Sequence, residues 1–307
     1  MEDGHRADGR GVLFVWDFDY TVVNCNSDEY VPAQFLGHDA TSDGFRDLIR
    51  KNGTNDDSDL DWHTCVEIMV GRAMNEGGAT PNDILAAAAR MPFLDQVQLA
   101  IGEISEKGGE HVGQMILSDG NILFITMFLQ ANDMKKCFDE GIMTNIGELV
   151  TSEEGKPALK VEHQSAKYGG HKCPRCASSP NLCKTQALED KLGQMQMEGR
   201  VPARIVYVGD GANDACPALN VLRECDILLA RRGVKRSEAN GRSGAETDEE
   251  ARDEREESKS GTSFGILHAL EKAKVDGEKI PKCHVAEWSS GADLRSLIGD
   301  VIRFWLS

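Results

Sequence analysis

The chain has 307 residues, of which 40% are hydrophobic and 28% charged, a composition ordinary for a soluble globular protein. Its net charge of −17 argues against nucleic-acid binding and against docking on an anionic membrane, because both need a basic face. No apolar run approaches the length of a membrane helix, the N-terminus is too polar for a secretory signal, and the Cys residues are mostly scattered. We therefore expect a cytoplasmic protein.

The first predicted element is a buried strand that ends at two carboxylates. Residues 12–16 are apolar, and they run directly into Asp17 and Asp19. A short apolar run bounded by polar residues is typical of a strand buried on both faces. Open α/β sheets place their chemistry at the carboxyl ends of such strands, and two neighbouring anions favour a divalent cation between them. The pair therefore predicts a metal-assisted site.

Between this strand and the next, roughly residues 31–92 are predicted to form a helical insertion. Residues 61–76 place apolar side chains at helical spacing. Thr80 suits an N-cap and Pro81 the first turn of a second helix, which Pro92 closes. The insertion therefore separates two parts of an α/β core.

The rest of the chain alternates between predicted strands and helices. Residues 115–117 form an apolar run that ends at Ser118 and Asp119, and residues 204–208 run into Asp210. We predict further strands near 141–151, 226–230 and 282–287, helices near 94–107, 122–130, 184–196, 213–222, 264–273 and 291–306, and a loop over 157–183. This alternation predicts an α/β fold with a doubly wound, mostly parallel sheet.

Residues 231–262 interrupt the alternation. They contain few large apolar residues and are crowded with Arg, Glu, Asp, Ser and Gly. Such a segment cannot bury enough surface to offset the entropy lost on ordering. We predict a charged, disordered surface insertion here.

The polar side chains at the strand ends match the needs of phosphoryl transfer. One carboxylate can attack phosphorus to form an aspartyl-phosphate, and a second can protonate the leaving alcohol and then activate water. Magnesium, a lysine and a hydroxyl are expected around the phosphate, because catalysis is mostly charge neutralisation and positioning. A lysine at a helix start is poorly placed for the helix dipole, which favours a functional role. The candidates are Asp17, Asp19, Ser118, Lys184, Asp210 and Asp214.

Four motifs in this order resemble those of the haloacid dehalogenase-like phosphatases: DFDYT (17–21), the Ser of LSDGN (117–121), Lys184 and GDGANDACPAL (209–219). The chain is also similar to the phosphoethanolamine/phosphocholine phosphatases and their pyridoxal-phosphate phosphatase relatives, through NSDEYV (26–31), MTN (143–145), NLCK (181–184) and WSSGADL (288–294). The similarity spans nearly the whole chain except 1–10 and 231–262. It departs from the pattern at Gly120, where Ala is expected, and at Ile122, where a small polar residue or Thr is expected.

The resemblance implies a Rossmann-like catalytic core with a helical cap inserted after the first strand. The core would comprise residues 11–30 and 93–307, and the cap residues 31–92. A cap of this kind closes over the site and excludes water.

The resemblance also implies a role for each site residue. Asp17 would be the nucleophile and Asp19 the general acid/base, with Thr21, Ser118 and Lys184 binding the phosphate. Magnesium would be held by Asp17, the Asp19 backbone carbonyl and Asp210, with Asp214 either a ligand or close by. Asp28 and Asp119 would face an amino-alcohol head group, since a carboxylate suits an ammonium.

The implied activity is magnesium-dependent hydrolysis of a small phosphorylated amine, phosphoethanolamine or phosphocholine. Pyridoxal phosphate or thiamine monophosphate, hydrolysed by the same mechanism, is the alternative. A non-catalytic phosphate-binding regulatory protein is a further alternative, which an intact Asp19 argues against because binding alone needs no proton shuttle. A P-type ATPase or a phosphotransferase is disfavoured, because the sequence has neither membrane spans nor a nucleotide-binding Gly-rich motif.

Some of these residues also fit purely structural roles. Ser118 fits a helix N-cap, and Asp28 and Asp119 could cap helices or orient other side chains. His171, Cys173, Cys176 and Cys183 could hold a structural zinc ion, but their irregular spacing equally fits free thiols or a local redox pair.

Overall fold

The structure is a computed structural model that describes residues 11–51, 60–164, 181–232, 265–277 and 279–305. A seven-stranded sheet lies at its centre, built from β1 (Val12–Trp16), β2 (Val112–Asn121), β3 (Gly141–Thr151), β4 (Pro157–Glu162), β5 (Arg204–Gly209), β6 (Ile227–Arg231) and β7 (His284–Trp288). The strand order is β4-β3-β2-β1-β5-β6-β7, and every pairing is parallel except that of β3 with β4.

Helices cover both faces of this sheet. They are α1 (Ser27–Leu36), α2 (His38–Lys51), α3 (Trp62–Asn75), α4 (Pro81–Ala89), α5 (Asp95–Gly108), α6 (Ile122–Ala131), α7 (Lys184–Met197), α8 (Ala215–Asn220), α9 (Ile266–Val275) and α10 (Gly291–Trp305). Alternate residues of β1 enter two separate apolar clusters, with Phe14 in one and Leu13 in the other. Burial on both faces explains why β1 is apolar throughout. The predicted doubly wound, mostly parallel α/β fold is confirmed.

Strand register brings the polar strand ends together. Trp16 pairs with Ile116 on one side of β1 and with Val208 on the other. Asp17, Ser118 and Asp210 therefore follow these paired residues at the same edge of the sheet. This is the carboxyl edge, where ligands bind in open parallel sheets.

The four helices α1 to α4 follow β1, where the helical insertion was predicted. Pro32 lies inside α1, and Gly37 ends this helix at φ 84°. Asn26 caps α1 by accepting from the Glu29 backbone N–H at 3.1 Å. The division into a core (11–30 and 93–307) and a cap (31–92) stays a prediction.

The loop predicted over 157–183 was wrong at its start, because β4 occupies Pro157–Glu162. Leu159 and Val161 are buried, whereas Lys160 and Glu162 are exposed, the alternation of a strand with one buried face. The Val161 backbone N–H donates to Glu67 of α3 at 2.6 Å, so β4 anchors α3.

The predicted insertion at 231–262 lies outside the described residues apart from Arg231 and Arg232. Arg231 is not part of a surface loop: it is the last residue of β6 and is buried. Among the described helices, none combines the length and apolarity needed to cross a membrane.

Candidate active site

The site is organised around Asp17, which directly extends β1. Its backbone N–H donates to the Val208 carbonyl at 2.9 Å, so the sheet holds this residue in line with β5. The residue is only 3% exposed. Asp17 therefore projects a buried carboxylate from the centre of the carboxyl edge.

Lys184 is buried between two carboxylates. It is the first residue of α7, and its Nζ lies 2.6 Å from Asp17 Oδ1 and 2.7 Å from Asp214 Oδ1. Burial disfavours the charged ammonium, but Asp17 and Asp214 outweigh it and raise the pKa of Lys184. The predicted functional lysine thus carries a positive charge next to Asp17.

Asp214 has all its acceptor positions engaged. Its Oδ1 also accepts from Tyr207 Oη at 2.7 Å, and its Oδ2 accepts from the backbone N–H groups of Asp210 (3.2 Å) and Gly211 (2.9 Å). This buried carboxylate therefore fixes the turn that carries Asp210.

Gly209 allows this packing. A Cβ at Gly209 would lie 2.6 Å from the Asp214 carboxyl group, whereas a Cβ at Gly120 would make ordinary contacts, 3.4 Å from Ser118 Oγ and 3.6 Å from Ser27 Oγ. The departure from the family pattern at Gly120 therefore leaves room for the alanine expected there.

We expect Gly209→Ala to lower the free energy of unfolding by about 1–3 kcal/mol, because the pinned Asp214 carboxyl group cannot move away from the added methyl group. Gly120→Ala is the matched control and should unfold close to the wild type. Urea denaturation of both variants checks this. A Gly209→Ala midpoint no lower than that of Gly120→Ala would contradict the packing explanation.

One carboxylate oxygen from each of Asp17, Asp210 and Asp214 lies within 4.8 Å of the other two. Burial and then the charge of Asp214 raise the pKa of Asp17 well above its usual range, and raise that of Asp210 to about 7. Hard oxygen ligands around a concentration of negative charge are what Mg²⁺ prefers. The residues present therefore fit a divalent cation.

Asp19 faces a different part of the site from Asp17. Its carboxylate accepts from the backbone N–H (3.0 Å) and Oγ (3.2 Å) of Ser27, at the start of α1. Burial and then the charge of Asp28 raise the pKa of Asp19 well above its usual range. The pKa values of both carboxyl groups are raised, but Asp17 is paired with Lys184 whereas Asp19 is hydrogen-bonded to Ser27.

The two hydroxyl residues predicted to bind the phosphate, Thr21 and Ser118, are both buried. Thr21 Oγ1 is buried and has no hydrogen-bond partner within the described part of the chain. Ser118 is fully buried, and its Oγ accepts from the Gly120 backbone N–H at 3.1 Å. A buried hydroxyl without a partner is costly unless a ligand supplies one.

The predicted head-group residues Asp28 and Asp119 lie near Asp19, since their charges, after burial, raise its pKa. Asp28 is buried and accepts from Trp62 Nε1 at 2.8 Å and Asn121 Nδ2 at 3.4 Å. Asp119 accepts from Asn181 Nδ2 at 3.4 Å. After burial and closer charges, Asp119 further raises the pKa of both Asp17 and Asp19, so its charge acts on both.

Arg231 is a residue that sequence reasoning missed. Its guanidinium donates to the Tyr20 carbonyl and to Asn24 Oδ1 (2.9 Å), and lies 4.9 Å from the centre of the Trp288 ring. These two hydrogen bonds fix the loop that follows Asp19. Tyr20 in this loop adopts a left-handed backbone conformation, φ 52°. One feature of the sequence could have identified it: the apolar run of β6 continues up to Arg231, which places this arginine at the end of a buried strand.

The zinc hypothesis stays a prediction. His171, Cys173 and Cys176 lie outside the described residues, and Cys183 is buried at the N-cap position of α7. Cys183 is not part of the candidate metal-binding group of Asp17, Asp210 and Asp214.

The doubly wound sheet carries a carboxylate pair, a buried lysine and further aspartates at its carboxyl edge, an arrangement consistent with the expected phosphatase. The model of the family described as "Putative Phosphatase" matches residues 12–248. The chain belongs to this family and is a phosphomonoester hydrolase.

Three curated relatives carry different substrate names. Pyridoxal phosphate phosphatase PHOSPHO2 of Bos taurus is 30% identical over 224 residues, covering 72% of this chain and 83% of the relative. The thiamine phosphate phosphatase-like protein of Arabidopsis thaliana is 29% identical over 220 residues, covering 72% and 80%. Inorganic pyrophosphatase 2 of the same plant is 28% identical over 226 residues, covering 74% and 72%.

Similarity to solved structures is weaker. A phospho-aspartyl intermediate analogue of phosphoserine phosphatase has a TM-score of 0.43 at 17% identity, covering 72% of this chain and 87% of that one. Cytosolic 5'-nucleotidase IIIB bound to cytidine has a TM-score of 0.46 at 14% identity, covering 98% and 89%.

Proposed function

We propose that the chain is a Mg²⁺-dependent phosphatase of small phosphorylated amines, phosphoethanolamine or phosphocholine, and that it works through an aspartyl-phosphate on Asp17. The observation that carries the substrate class is the acidic pair near Asp19, of which Asp28 is buried and Asp119 is half-buried. Asp28 and Asp119 are held by neutral indole and amide donors from Trp62, Asn121 and Asn181. An ammonium would supply the positive charge that these donors lack.

The reaction divides between the two carboxylates of the first motif. Asp17 attacks phosphorus, the bond from phosphorus to the leaving oxygen breaks, and Asp19 passes its proton to that oxygen. Water then attacks the aspartyl-phosphate while Asp19 takes up its proton, which releases inorganic phosphate and restores Asp17. The raised pKa of Asp19 supports the first proton transfer, because the acid form persists towards neutral pH.

The phosphoryl group would be held by Thr21, Ser118 and Lys184. The buried Thr21 hydroxyl would gain its partner from a phosphoryl oxygen. Lys184 is already 2.6 Å from Asp17 Oδ1, so its charge lies where negative charge develops during attack.

Asp17, Asp210 and the backbone carbonyl of Asp19 would hold Mg²⁺, which when bound neutralises charge on the phosphoryl oxygens. We assign Asp214 the task of fixing this group, because each of its oxygens already accepts two hydrogen bonds.

The same charge distribution separates the candidate substrates. Pyrophosphate would bring a second anionic group towards Asp28 and Asp119, where like charges repel. Pyridoxal phosphate and thiamine monophosphate remain the competing proposal, supported by the names of two relatives. The Trp62 ring stacks on Phe45 with ring centres 4.9 Å apart and lies next to Asp28. The aromatic ring of pyridoxal phosphate or of thiamine monophosphate could contact this indole.

A phosphate-release panel tests the proposal. We expect kcat/KM for phosphoethanolamine or phosphocholine to exceed that for an uncharged sugar phosphate and for pyrophosphate by about tenfold or more, a difference of about 1.4 kcal/mol. Pyridoxal phosphate and thiamine monophosphate belong in the same panel. Chelation should abolish release and added Mg²⁺ should restore it. A preference for the sugar phosphate would exclude the head-group assignment, and full activity in chelator would exclude the metal.

A further inference from the structure

The first turn of α3 contacts Asp28 directly and Asp119 through Asn181. Trp62 Nε1 donates directly to Asp28 Oδ2 at 2.8 Å. The next residue, His63, is 2% exposed, and its Nε2 lies 3.0 Å from Asn181 Oδ1. Asn181 in turn donates to Asp119. Two consecutive side chains of one helix thus connect to two carboxylates that belong to different parts of the fold.

The hydrogen bonds around His63 determine which way Asn181 faces. Asn145 Nδ2 donates to the Asp119 backbone carbonyl at 2.8 Å and to Asn181 Oδ1 at 3.0 Å. Asn145 Nδ2 lies at the same distance, 3.0 Å, from His63 Nε2. Because the amide oxygen of Asn181 can only accept, the hydrogen bond between His63 Nε2 and Asn181 Oδ1 requires the Nε2–H tautomer of His63. Asn181 Oδ1 faces these donors, so the amide Nδ2 of Asn181 is directed at Asp119.

This turn is fixed from outside the site as well. Its N-cap Asp61 accepts from the Thr64 backbone N–H at 2.8 Å and contacts His163 Nε2 at 3.1 Å. The His163 ring lies 4.6 Å from that of His63, and Phe45 of α2 stacks on Trp62. Trp62 and His63 therefore occupy defined positions rather than a mobile edge.

We propose that Trp62 and His63 are specificity-determining positioning residues, which hold the Asp28 and Asp119 carboxylates where a substrate ammonium binds. The inference rests on the proposed function. Trp62 acts directly on Asp28. His63 acts on Asp119 through Asn181, and while burial raises the pKa of Asp28, the charged form of His63 lowers it. Neither contacts Asp17 or Lys184 in the hydrogen bonds described, so their influence falls on the leaving group rather than on phosphorus.

The test compares phosphocholine with an uncharged aryl phosphate. Trp62→Phe and His63→Leu should raise KM for phosphocholine about tenfold, as expected for losing one hydrogen bond to a charged group or its support. The ratio of the two kcat/KM values should fall by a similar factor. His63→Gln should recover most of that ratio, because its amide can place a donor near the position of Nε2.

Trp305→Phe and His111→Gln are matched controls on α10 and on the exposed 3₁₀ turn Gly109–His111, and both should keep the wild-type ratio. Equal losses for both substrates, or no recovery in His63→Gln, would leave only a structural role and overturn the inference. A wild-type enzyme without an amine preference would overturn the proposed function, and the inference with it. A wild-type preference that survives in both variants would overturn the inference alone.

Discussion

An Asp17→Asn variant should release phosphate at least about a thousandfold more slowly than the wild type while remaining folded. An amide nitrogen or oxygen does not replace the carboxylate as a nucleophile, and removing the nucleophile of a covalent mechanism costs several orders of magnitude. Steady-state release from an aryl phosphate measures the loss. Mass spectrometry of acid-quenched enzyme should detect a phosphorylated wild type and no phosphorylated variant.

The same substitution should not destabilise the metal-free protein. The Asn oxygen can still accept from Lys184, and one negative charge leaves the group that contains Asp210 and Asp214. Relief of this repulsion should keep the melting temperature in chelator at or above the wild-type value. Loss of activity then cannot be attributed to unfolding.

Asp47→Asn, on the exposed face of α2, makes the same chemical change away from the site and should be active. Wild-type turnover by Asp17→Asn would exclude the covalent mechanism. A melting temperature well below that of Asp47→Asn would instead show that the Asp17 charge supports the fold.

The location of the site could be predicted from local pattern alone. Apolar runs before Asp17, Ser118 and Asp210 indicated three strands, and parallel strands end at one edge of a sheet. Strand register confirms that these ends are neighbours, since Trp16 pairs with both Ile116 and Val208. An apolar run followed by a polar residue was sufficient to locate each strand end, because this pattern depends only on residues that are close in sequence.

The partners of each side chain could not be predicted in this way. Lys184 meets Asp17 across 167 positions of the chain, and Asp28 meets Trp62 across 34. Such contacts depend on how the helices after β1 pack onto the sheet, which no local propensity encodes. The contacts of Trp62 and His63 with Asp28 and Asn181 therefore became visible only in the folded chain.

The wrong predictions share another cause. Residues 157–162 were assigned to a loop, but Leu159 and Val161 of β4 are buried in the apolar core. Arg231 was grouped with the charged residues after it, although its guanidinium has backbone and side-chain acceptors inside the fold. The composition of a segment predicts its average exposure, whereas the burial of a single residue depends on the partners that it meets in the fold.

Lys184→Met should lose both stability and activity, and the loss of stability is expected to be large. Nζ is fully buried between Asp17 and Asp214, so its removal leaves two neighbouring carboxylates without their cation. Breaking a buried ion pair on one side typically costs about 3–5 kcal/mol. Urea denaturation of the metal-free protein measures it. Turnover of the folded variant should fall by at least about a hundredfold, because the variant lacks the Lys184 ammonium that is proposed to neutralise charge on the phosphoryl oxygens.

Lys191→Met is the matched control, because Lys191 lies two turns further along α7, is also buried, and pairs with Glu140 at 2.9 Å away from the site. It should lose about 1–3 kcal/mol of stability, less than Lys184→Met because Glu140 keeps Arg200 as a partner, and it should keep its kcat when assayed at a temperature where it is folded. Combining Lys184→Met with Asp17→Asn should cost less stability than the sum of the single changes, since removing one carboxylate relieves the charge that the lysine had compensated. Additive costs would mean that Lys184 stabilises the fold mainly through Asp214. A folded Lys184→Met enzyme with wild-type kcat would place the phosphate away from this lysine.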